Sequence, residues 1–308
     1  MALLSHYTKW AGLEGMARGK TLWATKFTEL NDKTEMEYGY IEINKFALKA
    51  ALVEIDKHLI PGHPRAELDY DNAGKLIAEQ FRKSFEGPTG SEPLYVFSFA
   101  EARNEDQERR GILTLWDRYT KLEGYCVQFD RKEVLDLLSR EALRRNYALL
   151  HLASVRYGII QTDEECLDLR FQLEQRLLDV VARVKPGLNL QPRYERLWPF
   201  QTFAFRMLSF LARHKDPFFE DERETRIMAV PQKEADARAL SMGPALRKPV
   251  KVMSDGRHYI NLGADWRPGI EPRRIIVGPR AQRDLDSMLA LFDRKPQVLY
   301  TEFPIRTS

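Results

Sequence analysis

Cysteine is scarce. Cys126 and Cys166 are the whole complement in 308 residues, and they form no C-x-x-C pair. That argues against a disulfide framework or a thiolate zinc site and suits a reducing cytoplasm. The six histidines (His6, His58, His63, His151, His214 and His258) make no H-x-x-x-H or H-E-x-x-H spacing, so no metal is expected. No apolar run approaches the length of a membrane span. The opening Met1-Ala2-Leu3-Leu4-Ser5-His6 lacks the basic stretch and long apolar run of a signal peptide, so a cytoplasmic location without membrane contact is expected. Gly-rich dinucleotide fingerprints and a G-x-S-x-G elbow are missing, which disfavours a Rossmann domain and a serine hydrolase. Gly19-Lys20-Thr21 looks like the end of a phosphate-binding loop, but Glu14 stands where that pattern needs glycine.

What is present is ordinary for a globular chain. Apolar residues make up 44% and charged residues 30%. Forty-eight basic residues against 45 acidic give a net charge of +3. Such a balance permits contact with nucleic acid without arguing for it.

The apolar patterning predicts alternating short strands and helices. Leu3–Tyr7 and Thr21–Thr25 read as strands around a helix that Thr8 would cap and Gly19 would end in a left-handed turn. Helices are predicted over 38–58 and 76–85, with a turn at Leu30-Asn31-Asp32. Leu94–Phe99 is apolar on both faces and reads as a central strand. A surface loop over 101–110, a short helix through Leu113, Trp116 and Tyr119, and a strand over Gly124–Phe129 follow. Residues 131 to about 215 read as mostly helical, interrupted by a strand at 155–160. Strands return at Tyr259–Leu262, Arg274–Pro279 and Gln297–Tyr300. The expectation is a single α+β domain over 1–308, with a central mixed sheet and a mostly helical insertion at about 131–215.

The segment Phe218 to Val230 opens acidic and ends as an apolar run before Pro231. Read as one strand, it puts Glu222, Glu224, Arg226 and Met228 on one face. Two carboxylates so placed repel unless a cation or ligand lies between them, and Arg226 could be that cation. A plain surface ion pair is the bland alternative.

The order of short motifs carries a resemblance. These are His6-Tyr7-Thr8, Leu22-Trp23-Ala24-Thr25, Leu30-Asn31-Asp32 with Glu37-Tyr38-Gly39, Phe97-Ser98-Phe99-Ala100-Glu101, and Trp116 with Tyr119. Gly124 to Asp130, Glu222-Arg223-Glu224-Thr225-Arg226 and Ile275-Ile276-Val277-Gly278-Pro279 complete the series. Over most of the chain this resembles a bacterial family long labelled a domain of unknown function. Residues 131–215 and 231–255 match least, and the family has an aromatic where this chain has Thr225. The opening is also similar to the His-x-Thr start of ADP-ribosyltransferase toxins, including those that modify DNA. Those folds place a His on the first strand, an aromatic or Ser on a middle strand and a Glu late in the chain. Here His6, then Tyr7 or Ser98, then Glu224 fall in that order.

The resemblance implies a sheet of ADP-ribosyltransferase type and NAD as substrate, with no metal. Glu224 would stabilise the positive charge that develops on the ribose as nicotinamide leaves. Glu222 would position the acceptor or take its proton. His6 would hold the adenine-side ribose, supported by Thr8. Tyr7, Trp23 or Tyr38 would stack on nicotinamide. Arg226 would neutralise the glutamates or meet the pyrophosphate. A toxin or anti-phage effector acting on nucleic acid or protein is then expected, with an antitoxin or sensor as a further partner. An NAD glycohydrolase on the same scaffold and a non-catalytic binding module are the alternatives.

Overall fold

The computed structural model describes residues 2–30, 92–158, 163–184, 194–233, 246–281 and 285–301, together with Tyr38 and Val53. The turn at Asn31-Asp32 and the helices expected over 38–58 and 76–85 lie outside these residues, apart from those two positions. The chain divides into two compact units. One comprises Met1–Leu30, Tyr95–Val155 and Phe218–Ser308, the other Asn31–Leu94 and Arg156–Pro217.

The first unit is α+β and is built on a mixed, mostly antiparallel sheet of ten strands. Its strands are β1 (Leu3–Thr8), β2 (Leu22–Lys26), β3 (Tyr95–Ala100), β4 (Tyr125–Asp130) and β5 (Tyr147–Ser154). After β6 (Arg156–Tyr157) and β7 (His214–Lys215), which lie in the second unit, come β8 (Glu224–Pro231), β9 (Val250–Val252), β10 (His258–Leu262), β11 (Arg274–Val277) and β12 (Gln297–Tyr300). The order runs β12-β11-β4-β1-β3-β2-β10-β9, with β8 on β3 and β5 on β8. Only the β11–β12 pairing in this sheet is parallel among those described. β3 lies centrally, as its two-sided apolar pattern predicts, and all eight residues of β8 are buried.

Alternation along the strands sends one set of side chains into the main core. Leu4, Phe97, Phe99, Val127, Phe129, Ile227 and Ile275 pack there with Leu13 and Ala17 of helix Trp10–Gly19 and Val134 and Leu138 of helix Arg131–Arg144. Each large apolar side chain buried this way contributes roughly 1.5–3 kcal/mol. Asp130 ends β4 and caps the second of these helices, its carboxylate accepting from the amides of Lys132 and Glu133.

The second unit, taken by itself, pairs β6 with β7 in parallel. Its helices Glu164–Val184 and Phe200–Arg213 pack through Leu169, Leu173, Leu177, Phe203, Met207 and Phe210.

Several local expectations need correction. Thr8 does not cap the first helix. It remains in β1, and Lys9 holds the N-cap position without a side-chain bond. Gly19 is still helical, and the left-handed C-cap is Lys20, at φ 50°. Residues 105–110 form a helix rather than a loop, because Asn104 caps them by accepting from the Gln107 amide. The stretch expected to be mostly helical contains β5, and the expected strand at 155–160 reduces to the two residues of β6 among those described. An apolar run such as Tyr147–Leu152 suits either period, and pairing along β8 selects the strand.

A buried ionic pin ties the first unit together. Glu141 is fully buried and accepts from Tyr147 Oη at 2.8 Å, Gly263 N at 2.9 Å and the Lys248 ammonium. Lys248 is 2% exposed, and burial holds its pKa below the ordinary lysine value against the pull of Glu141. Arg145 grips Asp265 beside it through two bonds, of 2.7 and 2.5 Å. Removing one partner strands a buried charge. Lys248→Met is therefore expected to lower the unfolding free energy by about 3–5 kcal/mol, and adding Glu141→Gln to recover much of that loss, as read by urea denaturation.

Candidate functional site

The sheet forks at β3. Along one edge β3 pairs with β8 over its whole length, from Tyr95↔Ala229 to Ala100↔Glu224. On the other edge it meets β2 at Val96 and Tyr95, and β1 at Ala100 alone. Between these contacts, the described strands leave Phe97, Ser98 and Phe99 without a partner on that edge. A side chain bridges the gap: His6 Nδ1 lies 2.9 Å from the Ser98 carbonyl, and its ring stacks on Phe97 with centroids 4.3 Å apart. A carbonyl can only accept, so Nδ1 carries the proton and Nε2 is left as an acceptor. Burial pushes the imidazole pKa below its ordinary 6.5, and the Ser98 bond opposes this only in part.

A pocket opens at this fork. It is lined by Ser5, His6, Tyr7, Ser98, Phe99, Ala100, Leu115, Tyr119, Glu222 and Glu224. It encloses about 70 Å³, room for several waters or a ring-sized group.

Glu224 opens β8 opposite Ala100 and is 6% exposed. Two residues along the same face, the Arg226 guanidinium donates to both its oxygens at 2.7 Å. Arg226 is itself 2% exposed, and it lies 5.8 Å from the centre of the Phe27 ring. Glu222, 2% exposed, ends the short helical turn Pro217–Glu222. It is ion-paired with Arg118 and accepts from Tyr119 Oη at 3.2 Å.

The strand expected to carry Glu222, Glu224, Arg226 and Met228 on one face therefore begins only at Glu224, and Phe218–Glu222 belong to the helical turn before it. Arg223 breaks it with a left-handed backbone at φ 44°. Its carbonyl accepts from Glu101 N at 3.0 Å. The two carboxylates still reach one pocket, with Glu222 arriving from a turn and Glu224 from a strand. Each has its own arginine, so Arg226 pairs with Glu224 while Arg118 serves Glu222. Thr225, where the resembled family has an aromatic, ties β8 to the end of β3 by donating to Glu101 Oε1 at 2.5 Å.

Of the residues singled out from the sequence, His6, Tyr7, Ser98, Glu222 and Glu224 line this pocket. Tyr7 Oη accepts from Ile112 N at 2.6 Å, its ring meets Trp116 edge-on at 5.1 Å, and burial drives its pKa well above 10. Thr8 lies at the end of β1 and is not among the lining residues. Trp23, on β2, donates to Thr21 Oγ1 at 3.2 Å and packs on Tyr259, away from the lining set. Tyr38 belongs to the second unit. Sequence reasoning missed Arg118 and gave Tyr119 no role. The contacts of Arg118 and Tyr119 to Glu222 span 104 and 103 positions, which no local pattern reveals. Among the described residues, no group of three or more His, Cys, Asp or Glu could hold a metal ion, and no helix is long and apolar enough to cross a membrane.

Compared with family models, curated proteins and solved structures, the chain matches none.

Two outcomes follow from this geometry. Arg223→Val forces a β-branched side chain into the left-handed region and is expected to destabilise by roughly 1–2 kcal/mol. Arg223→Gly, which accepts that region freely, should stay within about 1 kcal/mol of the parent in chemical denaturation. His6 should titrate below 6.5 by NMR. The unfolded chain then takes up the proton before the folded one does. The His6 contribution to stability is therefore full above pH 6.5 and is lost as pH falls through the folded-state value, and His6→Gln should remove that part of the slope.

Proposed function

We propose that the chain transfers ADP-ribose from NAD to a macromolecular acceptor, nucleic acid or protein, on a sheet of ADP-ribosyltransferase type. The observation that carries the reading is the meeting of His6 with Glu222 and Glu224 in one pocket at the sheet fork. His6 lies on the first strand, and Glu222 and Glu224 lie far along the chain.

The arrangement suits cleavage of an N-glycosidic bond. As that bond breaks, nicotinamide leaves with the bonding electrons and positive charge grows on the ribose. A carboxylate already ionised and fixed beside the sugar stabilises that charge without reorganising. Arg226 keeps Glu224 oriented with two bonds and offsets its burial. Glu222 sits on the same pocket, where an acceptor's proton can be taken. The neutral His6 tautomer leaves Nε2 to accept from a sugar hydroxyl. A pocket of ring size fits the reacting end of NAD, so the rest of the dinucleotide would lie outside it.

The test measures nicotinamide release from NAD by purified protein, with nucleic acid and cell lysate supplied as acceptors and adducts read by mass spectrometry. Glu224→Gln is expected to slow release by about 10²–10³-fold. His6→Ala is expected to raise KM for NAD more than it lowers kcat. NAD loss without an adduct would replace transfer by hydrolysis. Untouched NAD in every mixture would sink the enzymatic reading and leave a binding module.

A further inference from the structure

Four hydroxyl-bearing side chains line the pocket: Ser5, Tyr7, Ser98 and Tyr119. They differ in what they face. Ser5 is 4% exposed, and its oxygen accepts from Gln128 Nε2 at 3.1 Å. Tyr7 accepts from a backbone amide, and burial holds its proton on. Ser98 stands opposite Arg226 in the β3–β8 register, beside a cation rather than a base. Tyr119 donates to a carboxylate, Glu222 Oε2, at 3.2 Å. It also remains 42% exposed, while Glu222 is buried and held by Arg118. The pocket thus contains a nucleophilic oxygen, already bonded to a base, facing the same small space as Glu224.

We propose that Tyr119 is a site of self-modification, the acceptor that the protein carries for itself. The inference rests on the NAD chemistry proposed above. In the step, the C1′–N bond to nicotinamide breaks and nicotinamide departs as a neutral molecule with the bonding pair. A bond forms between Tyr119 Oη and ribose C1′, and the phenolic proton passes to Glu222 and then to solvent. Atoms and charge balance with NAD as the sole co-reactant. The geometry also sets a limit. An ADP-ribosyl group on Tyr119 occupies the pocket in which it was made, so without an outside acceptor the reaction stops after one event per chain.

The experiment incubates the full chain with NAD and no acceptor, then reads nicotinamide release, intact mass and the modified peptide. The expected result is a burst of about one nicotinamide per chain, with the ADP-ribose mass mapped to Tyr119. Tyr119→Phe keeps the ring and should abolish that adduct. Glu222→Gln keeps the tyrosine and should slow its formation by about 10² or more. Thermal melts of both variants confirm folding, and peptide mapping of the parent decides the site even where a variant fails to fold. Nicotinamide release with no adduct in this acceptor-free mixture, or an adduct that survives Tyr119→Phe, overturns this inference, while the choice between transfer and hydrolysis is decided by the assay with acceptors supplied. No release with or without acceptors removes both.

Discussion

A carboxylate taken out of water is costly to keep ionised unless a cation or hydrogen-bond donors lie against it, and the first unit is arranged around that constraint. Glu141, Glu222 and Glu224 are each less than a tenth exposed, and each has a basic partner: Lys248, Arg118 and Arg226. Withdrawing such groups from solvent costs several kcal/mol per ion, which attraction between partners only roughly offsets. Apolar residues of similar volume would serve stability as well or better. At the Glu141 pin the charges tie a helix end to a strand and a loop far apart in sequence. At the fork two of the three lie on a pocket, where fixed charge can act on something that enters.

The fork follows from the same logic of unmet bonds. A central strand with partners on both edges offers no opening. β3 loses its pairing on one edge for three residues among the described strands, and one freed carbonyl is met by His6 rather than by backbone. The histidine thus has a sufficient structural task, one that also fixes which of its nitrogens faces outward.

Much of the first unit was legible in the sequence. β1, β2, β3, β4, β10, β11 and β12 lie where β-branched and aromatic runs between turn residues placed them, and the two-sided apolar pattern identified β3 as central. β5 was not legible because Tyr147 to Leu152 carries no decisive period, and its strand state depends on β8, far along the chain. The bend at Arg223 was hidden for a different reason. Left-handed backbone is ordinarily signalled by glycine, and here the chain places an arginine there. Lys20 conceals the first helix's C-cap in the same way, beside a glycine that invites the wrong choice. In the pocket, His6, Ser98, Glu222 and Glu224 stood out by residue type and order. Arg118 did not, since an arginine on a short helix reads as surface until its partner's position is known.

The strand pairings also govern when the pocket can exist. Its walls come from the first strand, from β3, from the helical turns after it and from the start of β8. A ribosome delivers them in that order, so His6 waits through most of synthesis for Glu224 to emerge. Pairings between such distant segments form late and slowly. An unfinished chain therefore carries the histidine and lacks the carboxylates, and the pocket is incomplete until β8 is made and seated. The separation of these residues along the sequence thus acts as a delay in the assembly of the pocket itself.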